Sequence, residues 1–104
     1  MEKNIKSIWN IIKDFINSKP IGTVITRREL LDEIYKIYRS PYIYDPTDKR
    51  PGASQPTIDS YRNILTQRTE YLKQTDKSGV YIINKHIPLE MSGSDIRQLY
   101  DSLK

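Results

Sequence analysis

There is no cysteine among the 104 residues, only one histidine, and no apolar run of the length a membrane span needs. The missing thiols exclude disulfides and thiolate metal sites, and they fit an intracellular protein. A lone imidazole, His86, is a poor start for a metal site. Crossing a bilayer as a helix takes about 20 mostly apolar residues, so no span is expected. The opening stretch MEKNIKSIWN lacks the uninterrupted apolar segment of a secretory signal. The expected place is therefore the cytoplasm, which is the host's cytoplasm for a viral source. Enzymatic signatures are missing as well: there is no G-x-S-x-G, no phosphate-cradling glycine loop and no H-E-x-x-H. Asp45 and Asp48 are loop carboxylates with no partner histidine. A non-enzymatic protein without cofactor or metal is the expectation.

Charge is present in moderation. Seventeen Lys and Arg against thirteen Asp and Glu leave +4, unevenly spread. Residues 1–25 carry four bases and two acids, 26–54 six and five, 55–89 five and three, and 90–104 two and three. A basic excess upstream of a slightly acidic tail favours a polyanionic partner, though weakly. Abundant Ile, Lys, Asn and Tyr fit an AT-rich genome and a phage or viral source.

Periodicity places the elements. In "NIKSIWNIIKDFINSK", Ile5, Ile8, Trp9, Ile12, Phe15 and Ile16 recur every three or four residues, with Lys6, Asn10, Lys13, Asp14 and Asn17 opposite. That is an amphipathic helix, ended by Pro20 and Gly22. After a β-like "TVI", Thr26 and Glu29 form a capping-box pattern for a second helix burying Leu30, Leu31, Ile34, Ile37 and Tyr38. Residues 39–55 hold three prolines and a glycine and read as a long loop, pinned to the body through Tyr42, Ile43 and Tyr44. A third helix starts near Ser54 and Gln55, with Pro56 in its first turn. Its core stripe is Ile58, Tyr61 and Leu65, with Ile64 at the edge. Tyr71–Thr75 and Val80–Ile87 flank the turn DKSG as a hairpin. Ser94 caps a last helix bearing Ile96, Leu99, Tyr100 and Leu103 on one side. Tyr35, Tyr38, Tyr61, Tyr71, Tyr81 and Trp9 sit at core spacing and are read as packing residues rather than stacking platforms.

Three helices followed by a two-stranded hairpin, in "TVITRRELLDEI" and "SQPTIDSYRNILTQRTEYLKQTDKSGVYII", resemble the winged helix-turn-helix family of DNA-binding proteins. The resemblance covers roughly Ile5 to Ile87 and departs from the family in the long segment between the second and third helices. It implies an α+β, mainly helical fold. Residues 1–88 form the winged-helix domain with its long loop at 39–55, and 89–104 a C-terminal helical extension. It also implies double-stranded DNA as partner, in a transcription regulator or an accessory factor of replication or packaging. The third helix then enters the major groove, offering Thr57, Ser60, Asn63 and Gln67 to base edges. Arg27, Arg28, Lys49, Arg50, Arg62, Arg68, Lys73, Lys77 and Ser78 are the candidates for the phosphate backbone. Intramolecular pairs compete for some of these: Asp32 or Glu33 for Arg27 and Arg28, Asp59 or Glu70 for Arg62 and Arg68. The alternative partner is a protein, or a second copy engaged through the C-terminal helix, in a subunit of a larger assembly.

Overall fold

Local capping decides where the helices begin. The computed structural model describes residues 6–101. Ser7 caps α1 (Ile8–Asn17) by accepting the Asn10 N–H. The capping box is formed: the Thr26 hydroxyl accepts from Glu29 N–H while the Glu29 carboxylate takes the Thr26 N–H, starting α2 (Arg27–Ile34). Ser54 caps α3 (Gln55–Gln67), with Pro56 in the first turn, where its missing N–H costs nothing. The final helix, α4 (Gly93–Asp101), is opened by Ser92 rather than Ser94. Ser92 and Asp95 exchange backbone and side-chain bonds in the same reciprocal manner.

Between these helices run β1 (Val24–Thr26), β2 (Leu72–Gln74) and β3 (Val80–Ile83). Among the described residues the domain is α+β, with four helices and an antiparallel sheet ordered β1-β3-β2. Both hairpin strands are shorter than their β-like runs, since the ladder stops at Leu72 opposite Ile83. Alternation sends Tyr81 and Ile83 into the core and leaves Ile82 outside, between Val24 and Lys73. Gly79, at φ +76°, supplies the left-handed turn residue that a side chain would strain.

Trp9, Ile12 and Ile16 of α1, Leu30 and Ile34 of α2, Ile58 and Leu65 of α3 and Ile96 of α4 meet in one core. Ile5 and Leu103 lie outside the described residues. Ile37 and Tyr38 pack half-buried beyond the end of α2. Two readings are corrected here. Ile64 is buried, not at an edge, because α4 covers a second flank of α3 and widens the apolar arc. Lys13, placed on the polar side of α1, is only 7% exposed. Its ammonium donates to the carbonyls of Leu89 (2.8 Å) and Met91 (3.1 Å). Trp9 Nε1 also donates to Met91 O, and the Asn17 amide holds both the N–H and the C=O of Ile87. Trp9, Lys13 and Asn17 recur every four residues, so one face of α1 grips the backbone leading to α4, which turns at Leu89 and Glu90.

The long loop is also corrected. Tyr42, Ile43 and Tyr44 are 60%, 69% and 90% exposed and do not pin it by burial; the tie they make is the Tyr42 hydroxyl accepting the Gln55 N–H at 3.3 Å. Its base is closed instead by the backbone, Arg39 N–H to Pro51 O at 2.9 Å and Ala53 N–H to Arg39 O at 3.1 Å. Ala53 is buried, and the Tyr35 hydroxyl donates to its carbonyl.

Candidate nucleic-acid interface

A helix turns by ~100° per residue, so Ser60, Asn63 and Gln67 fall within ~60° of one another on α3. All three are exposed, and none of their side chains is hydrogen-bonded among the described residues. The flank they occupy is opposite the one packed on the core, and α4 leaves it open. Thr57 does not join the row. It falls ~60° further round, toward Ile64, is half-buried, and its hydroxyl lies 2.9 Å from that of Ser54.

The cations divide into two groups. Arg27 grips the Asp59 carboxylate with two N–H groups, both at 3.0 Å. Arg62 donates to the same carboxylate at 3.3 Å and to the Tyr81 hydroxyl. Burial pushes the Asp59 carboxyl up, but the bonds and charges of Arg27 and Arg62 more than offset it and hold it below its ordinary value. The bond to Asp59 raises the Arg27 guanidinium, against the opposing effect of its own burial. Arg27 and Arg62 are therefore corrected from phosphate contacts to internal struts, with only 16% of the Arg62 side chain exposed. The carboxylate available three residues before Arg62 is visible in the sequence, whereas its reach to Arg27, thirty-two residues away, is not.

Arg50 is corrected too. It bonds Asp48 and the carbonyls of Tyr35 and Lys36 just past α2, locking the loop rather than swinging free. These Arg50 bonds, side chain first and backbone N–H second, hold the Asp48 carboxyl down to about 2 from 3.8. A depressed carboxyl contributes stability above its unfolded value and loses it as pH falls through the folded one. The clamp is thus expected to stay closed well below pH 3.8 and to loosen toward about 2. An NMR titration of the Asp48 carboxyl carbon checks this, and a midpoint at the ordinary value would mean that Arg50 points elsewhere.

The second group faces water. Lys49, Arg68, Lys73, Lys77 and Ser78 are exposed, and the side chains of the four cations among them have no ion pair among the described residues. Arg28 is 85% exposed along its side chain, with a loose contact to Asp32 at 3.6 Å, as the helical spacing suggests. Glu70, the partner considered for Arg68, pairs with Lys85 instead.

These parts are tied together at one residue. The Arg27 N–H donates to Gly79 O in the hairpin turn at 2.8 Å, while its guanidinium holds Asp59 on α3. The turn, the start of α2 and the first half of α3 are thereby fixed to one another. A cleft of about 580 Å³ between α2 and the loop is walled by Arg27, Arg28 and Arg50, each facing a carboxylate of its own chain.

No family model, no curated protein and no solved structure matches the chain. Among the described residues no helix is long and apolar enough to cross a membrane.

Proposed function

We propose that this chain is a small, non-enzymatic DNA-binding protein of the winged helix-turn-helix type, a regulator or an accessory factor of replication or packaging. α3 lies in the major groove and the β2–β3 hairpin rests on the backbone. The observation that carries the reading is the open row Ser60, Asn63 and Gln67, polar and free of carboxylate, on a helix held rigidly by its other flanks. The major groove admits one α-helix, and Asn and Gln each match the donor–acceptor pair of adenine. Lys77 and Ser78 at the turn, with Lys73, Arg68 and Arg28, supply the phosphate contacts, and Lys49 extends them from the loop.

Fluorescence anisotropy with duplex DNA tests this directly. With about four phosphates neutralised, log K is expected to fall against log salt with a slope of roughly −4. Asn63→Ala is expected to weaken a preferred sequence by about 1–3 kcal/mol and others much less. Lys77→Ala should instead weaken all sequences alike and flatten the slope by about 1. Folded protein that binds no duplex at low salt rejects the proposal.

A second reading, a protein-interaction module, is favoured by the outer face of the sheet. There Val24 and Ile82 stand 54% and 36% exposed side by side. The C-terminal helix is a weaker route to a partner, since its Ile96 is buried in the chain's own core and Leu99 packs against it. Light scattering that shows a concentration-dependent dimer, abolished by Val24→Lys, would support this second reading.

A further inference from the structure

Arg97, an exposed residue of α4, holds no carboxylate and no carbonyl among the described residues. Its guanidinium carbon lies instead over the Tyr61 ring of α3, 5.7 Å from the centroid. Tyr61 is half-buried, and on its inner side the Trp9 ring stands at 5.8 Å. A Cβ at Gly93, one turn before Arg97, would lie 3.9 Å from the Tyr61 hydroxyl, so α4 runs close against this side of α3. Stacking engages the face of a guanidinium and leaves unspent the N–H groups around its edge. Arg27 and Arg62 differ, because Asp59 consumes N–H groups of both. The neighbouring acid Asp95 falls ~200° round α4 from Arg97 and accepts the Ser92 N–H at the helix start. Arg97 is thus held in place without being neutralised.

Its place beside the open row gives the partner. On α3, Tyr61 falls ~100° from Ser60 and ~160° from Asn63, and Arg68 lies within ~20° of Tyr61, ~10 Å further along the axis. Arg97 and the exposed Arg68 therefore stand along one border of the row. The other border is marked by Asp59, ~40° from Asn63 on the opposite side. Arg27 ties that border to the hairpin turn, so Arg28 and Lys77 belong to it. The uncharged row thus runs between two cationic borders, one from α2 and the hairpin, the other from α4 and the end of α3. A helix of ~10–12 Å diameter fills a major groove ~12 Å wide and meets the phosphates of one strand on each side.

We infer that Arg97 grips a backbone phosphate on the strand across the major groove from the one the hairpin contacts, which makes α4 a second clamp on the duplex. The inference rests on the DNA-binding reading above. A guanidinium meets phosphate through two parallel N–H bonds. The ring beneath Arg97 already restrains its side chain, so less rotamer freedom is lost on docking than for an unsupported lysine. The reading helix is then held from both walls of the groove rather than from the hairpin side alone.

The test uses the full chain, a duplex selected for binding, and the variants Arg97→Gln, Arg97→Lys and Lys77→Ala. Glutamine keeps an aliphatic stem against the Tyr61 ring and drops the charge, whereas lysine keeps the charge. Arg97→Gln is expected to bind all sequences about ten-fold more weakly and to flatten the salt slope by about 1, and Arg97→Lys to retain the slope. Phosphate-ethylation interference should show wild-type contacts on both strands. Arg97→Gln should lose contacts on one strand and Lys77→Ala on the other. Arg97→Gln equal to the wild type in affinity and slope overturns the inference and leaves the DNA reading standing. So does loss of the same strand's contacts in both variants. Weakened binding with an unchanged slope in both Arg97 variants overturns it too, because Arg97 then acts only by holding α4 on Tyr61. A wild type that binds no duplex removes the DNA reading itself, before any variant is measured.

Discussion

Ile64→Ala is expected to lower the unfolding free energy by about 2–5 kcal/mol, as large-to-small changes in a close-packed interior do. Ile64 is 2% exposed, and its helix is covered on one side by the core and on another by α4. A cavity opened there cannot collapse without moving one of those neighbours, which is why the upper half of the range is expected. At the rim of the helix, as the heptad-like stripe alone places it, the same substitution would cost under ~1 kcal/mol. Urea denaturation followed by circular dichroism separates the two outcomes. A loss below 1 kcal/mol would mean that α4 does not stay docked in solution.

Asp59→Ala is expected to cost about 2–3 kcal/mol of stability, and it carries a second, opposite effect. Breaking a fully buried pair costs ~3–5 kcal/mol, since a charge is stranded out of water. Here water reaches part of the site, with 36% of the Arg27 side chain and 27% of that of Asp59 exposed, so the lower figure applies. Arg62 keeps its bond to the Tyr81 hydroxyl and is not wholly orphaned. Because the Asp59 carboxyl is held below its ordinary value, its contribution is present at neutral pH and fades as pH falls through that lowered value. Asp59→Asn should therefore flatten the acid limb of the stability curve, which thermal melts between pH 2 and pH 6 measure (about two units either side of the ordinary carboxyl range). On DNA the change runs the other way. If the chain binds DNA as proposed, Arg27, freed from its carboxylate and with 36% of its side chain exposed, gains access to phosphate, whereas Arg62 stays on the Tyr81 hydroxyl. Affinity for unrelated sequences is then expected to rise, with the salt slope steepening by about 1. Unchanged affinity together with the stability loss would show Arg27 pointing away from a bound duplex.

How much of this was legible in the sequence follows from the range of each interaction. Thr26 and Glu29 announce the start of α2 because a capping box is complete within four residues. Gly79 marks the hairpin turn for a similarly local reason, its positive φ. The Arg28–Asp32 contact is written in the i, i+4 spacing. The row Ser60, Asn63 and Gln67 is equally visible, as the polar complement of an apolar stripe. The place of Thr57 is not legible there, because a helix wheel shows direction but not what lies beside it, and the flank near Ile64 is covered.

Sequence by itself determined the order of the elements, their caps and the polar flank of α3, because those depend on contacts a few residues apart. Only the tertiary structure decided which cations are available. Asp59 lies thirty-two residues from Arg27, and the backbone carbonyls that hold Arg50 are fourteen and fifteen residues behind it. The same is true of Lys13, whose polar character marks it for the surface until Leu89 and Met91 bring their carbonyls to it. A charge is free or engaged according to what the chain folds against it, and no periodicity records that distance.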